Sequence, residues 1–175
     1  AAAMSWVLGA LLIGGGFPEM FMPELQANAS LRNELREAIA AGLPVYAECG
    51  GLMYLARSIA WNGRSACMVG AIPGDAVMHD RPIGRGYVHL QETAAHPWPS
   101  ARKATDLRAH EFHYSSLENL APDVDFAYRV KRGHGVDARH DGIVYRNVLA
   151  SYAHQRSVGG NAWAERFVAF VRKVD

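Results

Sequence analysis

An α/β fold with parallel strand pairing is predicted by the order of elements at the start of this 175-residue sequence. A continuous apolar run, Val7 to Ile13, is closed by Gly14-Gly15-Gly16, which suits a strand buried on both faces of a parallel sheet. Asn28-Ala-Ser30 then precedes "LRNELREAIAAG", where Leu31, Leu35, Ala38 and Ile39 recur at helical spacing and Gly42 supplies a stop. A second strand, Val45-Tyr-Ala47, follows at once, and Leu52 to Ile59 reads as a short helix. Strand, helix, strand, helix favours parallel strands joined by a crossover.

The middle of the chain changes character. "VGAIPGDAVM", "GRGYVHLQ", "RAHEFHYSS" and "DFAYRVK" alternate partially between apolar and polar residues and are separated by Gly, Pro, Asp and Arg, so they read as strands of a mixed or antiparallel part. The tail returns to the first style. "GIVYRNVLASYAH" reads as one strand or a strand pair, and "NAWAERFVAFVRK" as an amphipathic helix with Trp163, Phe167 and Phe170 on the core face.

Composition fits one globular domain with a sizeable core: half of the residues are hydrophobic (50%) and a fifth charged (20%). A net charge of +1 gives no reason to expect a nucleic-acid partner, and the run Arg129-Val-Lys131-Arg132 reads as a solvated strand end. Two cysteines without a CxxC pair supply neither a disulfide scaffold nor a zinc site, so a reducing cytoplasm is the expected location. The apolar start is far shorter than the roughly 20 residues that span a bilayer, and it lacks the basic leader of a signal peptide. No membrane role is expected.

The chemistry centres on "PVYAECGGLM", residues 44 to 53. A strand turning abruptly into a helix through Cys-Gly-Gly presents the apical side chain, and the glycines admit neighbouring backbone without Cβ collisions. The helix starting near Gly50 directs N–H groups and the positive end of its dipole toward Cys49, favouring thiolate. The pattern alone leaves two readings open, a nucleophile or a buried structural thiol. Cys67, in "SACMVGAI", has no such setting and reads as a small buried residue. A nucleophilic thiol needs a base and an oxyanion site. His154, at the end of a late apolar strand, is the candidate base, because strand ends on one edge of an α/β sheet converge in space; a surface histidine is the competing reading. The "IGGGFPE" turn offers N–H groups, so Gly15 or Gly16 with Gly50 could hold the oxyanion. In "RAHEFHYS", a strand would put His110 on one face and Glu111 with His113 on the other, two metal-capable groups without a third ligand.

Together, "GGGFPE", "VYAECGGLMYL", "RAHEFHYSS" and "GVDARHDGIVYRNVLASYAH", in that order, resemble the glutamine amidotransferase domain found at the C-terminal end of cobyrinic acid a,c-diamide synthases. The resemblance spans nearly the whole chain, 1–175, as a single domain. It implies a class I, Triad-type, flavodoxin-like fold: a three-layer α/β sandwich with a mostly parallel central sheet flanked by helices. It implies that Cys49 attacks the glutamine side-chain amide to form a thioester, that His154 activates the thiol and protonates the departing nitrogen, and that Gly15 and Gly50 supply oxyanion donors. It implies glutamine as substrate, no metal and no cofactor in this domain, and ammonia delivered to an ATP- and Mg2+-dependent synthetase domain that amidates carboxylates of a tetrapyrrole. No GxxxxGK[ST] phosphate loop occurs in the sequence, so that synthetase domain is expected on another part of a longer chain or on a separate subunit.

Some positions depart from the family's wording. Ala109 stands where "RGHEFHYS" has Gly, and Gln155 and Arg156 replace residues of the more usual "SYLHLH". Many class I amidotransferases carry a carboxylate two residues after the histidine; that position is Arg156, so the third member of a triad is left unassigned, and Glu111 is not promoted to it. Relatives acting on sirohaem or nickel sirohydrochlorin, or a docking module that keeps the fold without catalysis, are the alternative functions.

Overall fold

The computed structural model describes residues 9–100, 106–157 and 161–174. Residues 1–8, which include Val7 and Leu8 of the predicted first strand, lie outside the described residues. Among the described residues, eleven strands and four α-helices follow one another as β1 (Leu11–Ile13), a 3₁₀ turn (Pro18–Phe21), α1 (Met22–Ala27), α2 (Ala29–Ala40), β2 (Val45–Glu48), α3 (Gly50–Leu55), β3 (Ser58–Trp61), β4 (Arg64–Cys67), β5 (Asp75–Met78), β6 (Gly84–Glu92), β7 (Asp106–His113), β8 (Ser115–Glu118), β9 (Asp125–Arg132), β10 (His140–Tyr145), β11 (Val148–Ser151) and α4 (Trp163–Val174). No helix among the described residues is long and apolar enough to cross a membrane.

The strands form a seven-stranded sheet, ordered β1-β2-β11-β10-β9-β6-β7, and a smaller four-stranded sheet, β4-β3-β5-β8. The predicted α/β architecture stands, but the central sheet is mixed and not mostly parallel: β1, β2 and β11 are parallel neighbours, whereas the pairings from β11 to β7 are antiparallel, and short links such as the one from Tyr145 to Val148 leave no room for a crossover. Helices cover both faces. Along β2 the side chains alternate, so Val45 and Ala47 join Ile39 and Leu52 in one core while Tyr46 joins Trp98 and Phe167 in the other. All three of those β2 residues are fully buried, as a strand covered on both faces requires. Tyr46 packs against Trp163 of α4 with ring centroids 4.6 Å apart, which fixes α4 across the sheet as the Trp163–Phe167–Phe170 spacing predicts.

Several expectations shift. β1 is an edge strand with Leu12 exposed, because it pairs with β2 alone. The helix after the glycines ends at Leu55, and Ile59 belongs to β3; the Ala56 backbone turns to extended geometry there. Cys67 is exposed, not buried: it ends β4, at the edge of the small sheet, where its N–H is bound by the Gln26 side chain. Asn28 caps α2, its Oδ1 accepting from Leu31 N–H, and the positive φ of Gly42 (107°) marks the predicted stop.

The large sheet curls until its far edge meets its middle. His110, in edge strand β7, forms an antiparallel bridge with His154, just past β11, through His154 N–H to His110 O at 2.7 Å and His110 N–H to His154 O at 3.1 Å. That closure brings the end of β7 alongside the parallel strand ends of β2 and β11.

Candidate active site

The site is assembled where β2 stops. Cys49 N–H donates to Ser151 O at 2.7 Å, the last rung of the β2–β11 pairing, and the chain then reverses into α3. To do so Cys49 adopts φ 48°, ψ −103°, a strained conformation for a residue with a Cβ. Its two glycines make the turn fit: a Cβ on Gly50 would lie 2.5 Å from Gly16 O, and one on Gly51 would collide with Ile13 O. The Cys49 side chain is nearly buried (8% exposed) yet opens onto a cavity of about 1090 Å3, and Sγ is 3.8 Å from Phe112 O at the end of β7.

His154 lies in the same cavity wall, as the order of strands requires: β11 runs parallel to β2, so the residues just past both strands share one sheet edge. The ring is held on several sides. Gly15 backs it so closely that a Cβ there would be 2.7 Å from its Cε1. Nδ1 faces Glu48 Oε2 at 3.5 Å, and the Cys49 side chain meets the imidazole too. The neighbouring Cys49 side chain and then the Glu48 carboxylate raise the His154 pKa to about 10, against the opposing effect of burial.

Behind the histidine sits a buried carboxylate that no motif reading anticipated. Asp141, fully buried in β10, accepts from Ser151 Oγ at 2.8 Å and from the N–H groups of Tyr152 and Ala153 at 3.0 Å each. It pins the three residues that lead into His154. Asp141 is legible only as part of "RHDGIV", where a charged residue enters an apolar strand and needs a reason to be there.

The remaining cavity wall is basic. His89 of β6 is paired in register with Arg108 of β7 and with Arg132 of β9, so three basic residues stand side by side across neighbouring strands, and Arg156 lines the same space. Like charges in such positions repel, and none of the ion pairs among the described residues involves these arginines. Phe17 and Tyr87, both largely exposed, stand at the cavity as apolar wall.

Of the residues singled out in the sequence for this chemistry, Cys49, His154, Gly15 and Gly16 therefore share one cavity. Gly50 instead borders a smaller, apolar cavity of about 270 Å3 beyond Gly16. Arg129 and Lys131 are exposed as a solvated strand end would be, whereas Arg132, read with them as solvated, lines the cavity. "RAHEFHYS" divides as strand alternation requires: His110 faces the cavity, whereas Glu111 and His113 are buried on the opposite face. Glu111 accepts from the N–H groups of His134 (2.8 Å) and Gly135 (2.9 Å), so it holds a turn.

A thiol on a strained strand-to-helix turn, an imidazole beside it and a curled α/β sheet define a protein of the class I glutamine amidotransferase fold. Solved structures agree: one glutamine amidotransferase superposes with a TM-score of 0.67 at 16% identity, covering 94% of this chain and 80% of its own. The structure of PurLQS from Thermotoga maritima gives 0.65 at 19% identity, covering 93% and 79%. The profile of the CobB/CobQ-like glutamine amidotransferase domain matches residues 6–161, and the chain belongs to that family. Among curated relatives, the cobyrinate a,c-diamide synthase of Magnetococcus marinus is 46% identical over 163 residues, covering 93% of this chain and 34% of its own length. That of Archaeoglobus fulgidus is 43% identical over 159 residues, with 91% and 34% covered. The chain thus spans about a third of the length of these relatives.

Proposed function

We propose that this chain is the glutaminase part of a cobyrinate a,c-diamide synthase-like enzyme, in which Cys49 and His154 hydrolyse glutamine. His154, whose raised pKa keeps it protonated, holds the proton given up by Cys49, and the Cys49 sulfur attacks the side-chain amide carbon. The tetrahedral oxyanion is assigned to the backbone N–H of Gly15 or Gly16, which line this cavity, with that of Gly50, the residue directly after the nucleophile. Collapse of that intermediate breaks the C–N bond, His154 returns the proton to the departing nitrogen, and ammonia leaves a thioester at Cys49. Water, deprotonated by His154, cleaves the thioester to glutamate and restores the thiol. A raised His154 pKa suits this cycle, since the ring must keep the proton until the nitrogen takes it. The basic wall of Arg108, Arg132 and Arg156 gives an amino-acid carboxylate a counter-charge within the same cavity.

Ammonia then serves an ATP- and Mg2+-dependent synthetase domain, corresponding to the other two thirds of the relatives, which amidates carboxylates of a tetrapyrrole; a reducing cytoplasm suits two free thiols. The single observation that carries the reading is the positive φ of Cys49, because a structural thiol has no use for strain that lifts it into a cavity beside an imidazole. The test is ammonia release from glutamine, with asparagine as control, by the chain alone and with its synthetase partner. Release from glutamine that Cys49→Ser abolishes supports the reading. Equal behaviour of wild type and Cys49→Ser in both settings contradicts it.

A further inference from the structure

Arg156 occupies the position two residues after the histidine, where a triad carboxylate would be sought. The ring nevertheless has a carboxylate, from the other side of the site: Glu48, the residue immediately before the nucleophile. We infer that Glu48 is the positioning residue of His154, so that this site draws its thiol and its orienting carboxylate from consecutive residues of one strand end. The inference rests on the Cys49–His154 reading above.

Three observations carry it. First, the carboxylate is fixed by one oxygen and leaves the other to the ring. Oε1 accepts from Tyr46 Oη at 2.6 Å and from Gln155 N–H at 2.8 Å, while Oε2 faces His154 Nδ1 at 3.5 Å. Catalytic hydrogen bonds are commonly this long before substrate is bound. Second, both anchors are themselves held in place by burial or hydrogen bonds. Tyr46 is fully buried, and Gln155 donates through Nε2 to the buried Tyr128 hydroxyl at 2.7 Å, which also meets His96 Nε2 at 3.1 Å. Third, the sharp turn at Cys49 explains the geometry. In regular β-structure consecutive side chains point to opposite faces, but the φ of 48° breaks that alternation, so Glu48 and Cys49 both reach His154.

The carboxylate is ionised where it sits. Burial alone would raise its pKa, but hydrogen bonds from His154, Gln155 N–H and Tyr46 outweigh that and hold it below the ordinary 4.5. An ionised Glu48 beside Nδ1 selects the tautomer with the proton on Nδ1, which leaves Nε2 as the nitrogen that exchanges a proton with the thiol. Glu48→Gln keeps the shape and the acceptor for Tyr46 and Gln155 but turns an amide N–H toward Nδ1. That removes the negative charge that favours the imidazolium and selects the opposite tautomer of the neutral ring, so His154 no longer holds the proton given up by Cys49.

The test combines kinetics with His154 titration followed by NMR, using the 175-residue chain. In the wild type, His154 should titrate well above the ordinary 6.5, with Nδ1–H the neutral tautomer. Glu48→Gln should lower kcat for glutamine at least about 100-fold with KM little changed, shift the titration down and reverse the tautomer, while Glu48→Asp recovers part of each. Three results overturn the inference: a wild-type His154 titrating near 6.5, a Glu48→Gln variant with wild-type kcat, or a variant in which KM rises and kcat does not fall, which would make Glu48 a substrate ligand. Titration of His154 in Cys49→Ala, which removes the larger cause of the shift, decides the matter even if Glu48→Gln does not fold: a ring still titrating above 6.5 supports Glu48, and one at 6.5 overturns it. A wild type whose ammonia release is unaffected by Cys49→Ser sinks the underlying reading instead, and a failure confined to Glu48 leaves that reading standing.

Discussion

Two glutamate–histidine pairs in this molecule have nearly the same separation and opposite fates. Glu48 and His154 are 3.5 Å apart at the cavity; Glu111 and His113 are 3.6 Å apart in the interior. In the buried pair every reactive capacity is engaged or enclosed. Glu111 holds the N–H groups of His134 and Gly135, His113 Nδ1 is bound to Ser115 O, and the His113 ring stacks on Tyr152 with centroids 3.9 Å apart. In the open pair the imidazole keeps a third of its surface in contact with the cavity and has a sulfur beside it. The identity of the residues does not make a site. What does is a strained neighbour that delivers a nucleophile and a wall that substrate can reach.

Breaking the open pair should have the larger effect on rate. His154→Asn is expected to lower kcat for glutamine by roughly 10²- to 10⁴-fold with little change in unfolding temperature, checked by ammonia release and calorimetry. A loss of folding instead would mean the ring holds structure, as His113 does. Breaking the closed pair should act on stability. Glu111→Gln offers one acceptor for two N–H groups and points an amide N–H at the other, so it is expected to cost about 1.5–3 kcal/mol, on the order of 5 °C in Tm, with kcat of the folded fraction unchanged.

A smaller, pH-dependent effect sharpens the same contrast. Burial pushes the Glu111 carboxyl up, but the His113 ring and the Gly135 and His134 N–H groups outweigh it, so the folded-state pKa lies below the ordinary 4.5. Its contribution to stability is therefore complete above about pH 4.5 and is lost as pH falls through the lower folded-state value. Denaturant unfolding across that window should show a steeper acid loss in the wild type than in Glu111→Gln. Parallel curves would contradict the assignment.

Much of this was legible in the sequence, and the misses have physical causes. The buried strand β2, capped helix α2 and aromatic face of α4 follow from local periodicity, which the final packing obeys. Cys49 and His154 were legible because parallel strand ends converge. Glu48 was not, although it stands in the same motif: a charged residue closing the apolar strand Val45–Ala47 was the available signal, but its partner lies over a hundred residues away and its direction depends on the turn at Cys49. Cys67 failed for the converse reason. Its neighbours are apolar, yet β4 ends at a sheet edge, and edge position is a property of topology that local composition does not carry.

The two thiols supply the most direct measurement, because Cys67 is exposed and lacks an imidazole while Cys49 is nearly buried and has one. Labelling the chain with a glutamine-mimicking diazo-ketone and locating the adduct by peptide mass spectrometry should give a single modification at Cys49, suppressed by glutamine and absent in His154→Asn. Modification confined to Cys67, or no modification in the presence of the synthetase partner, would contradict the account.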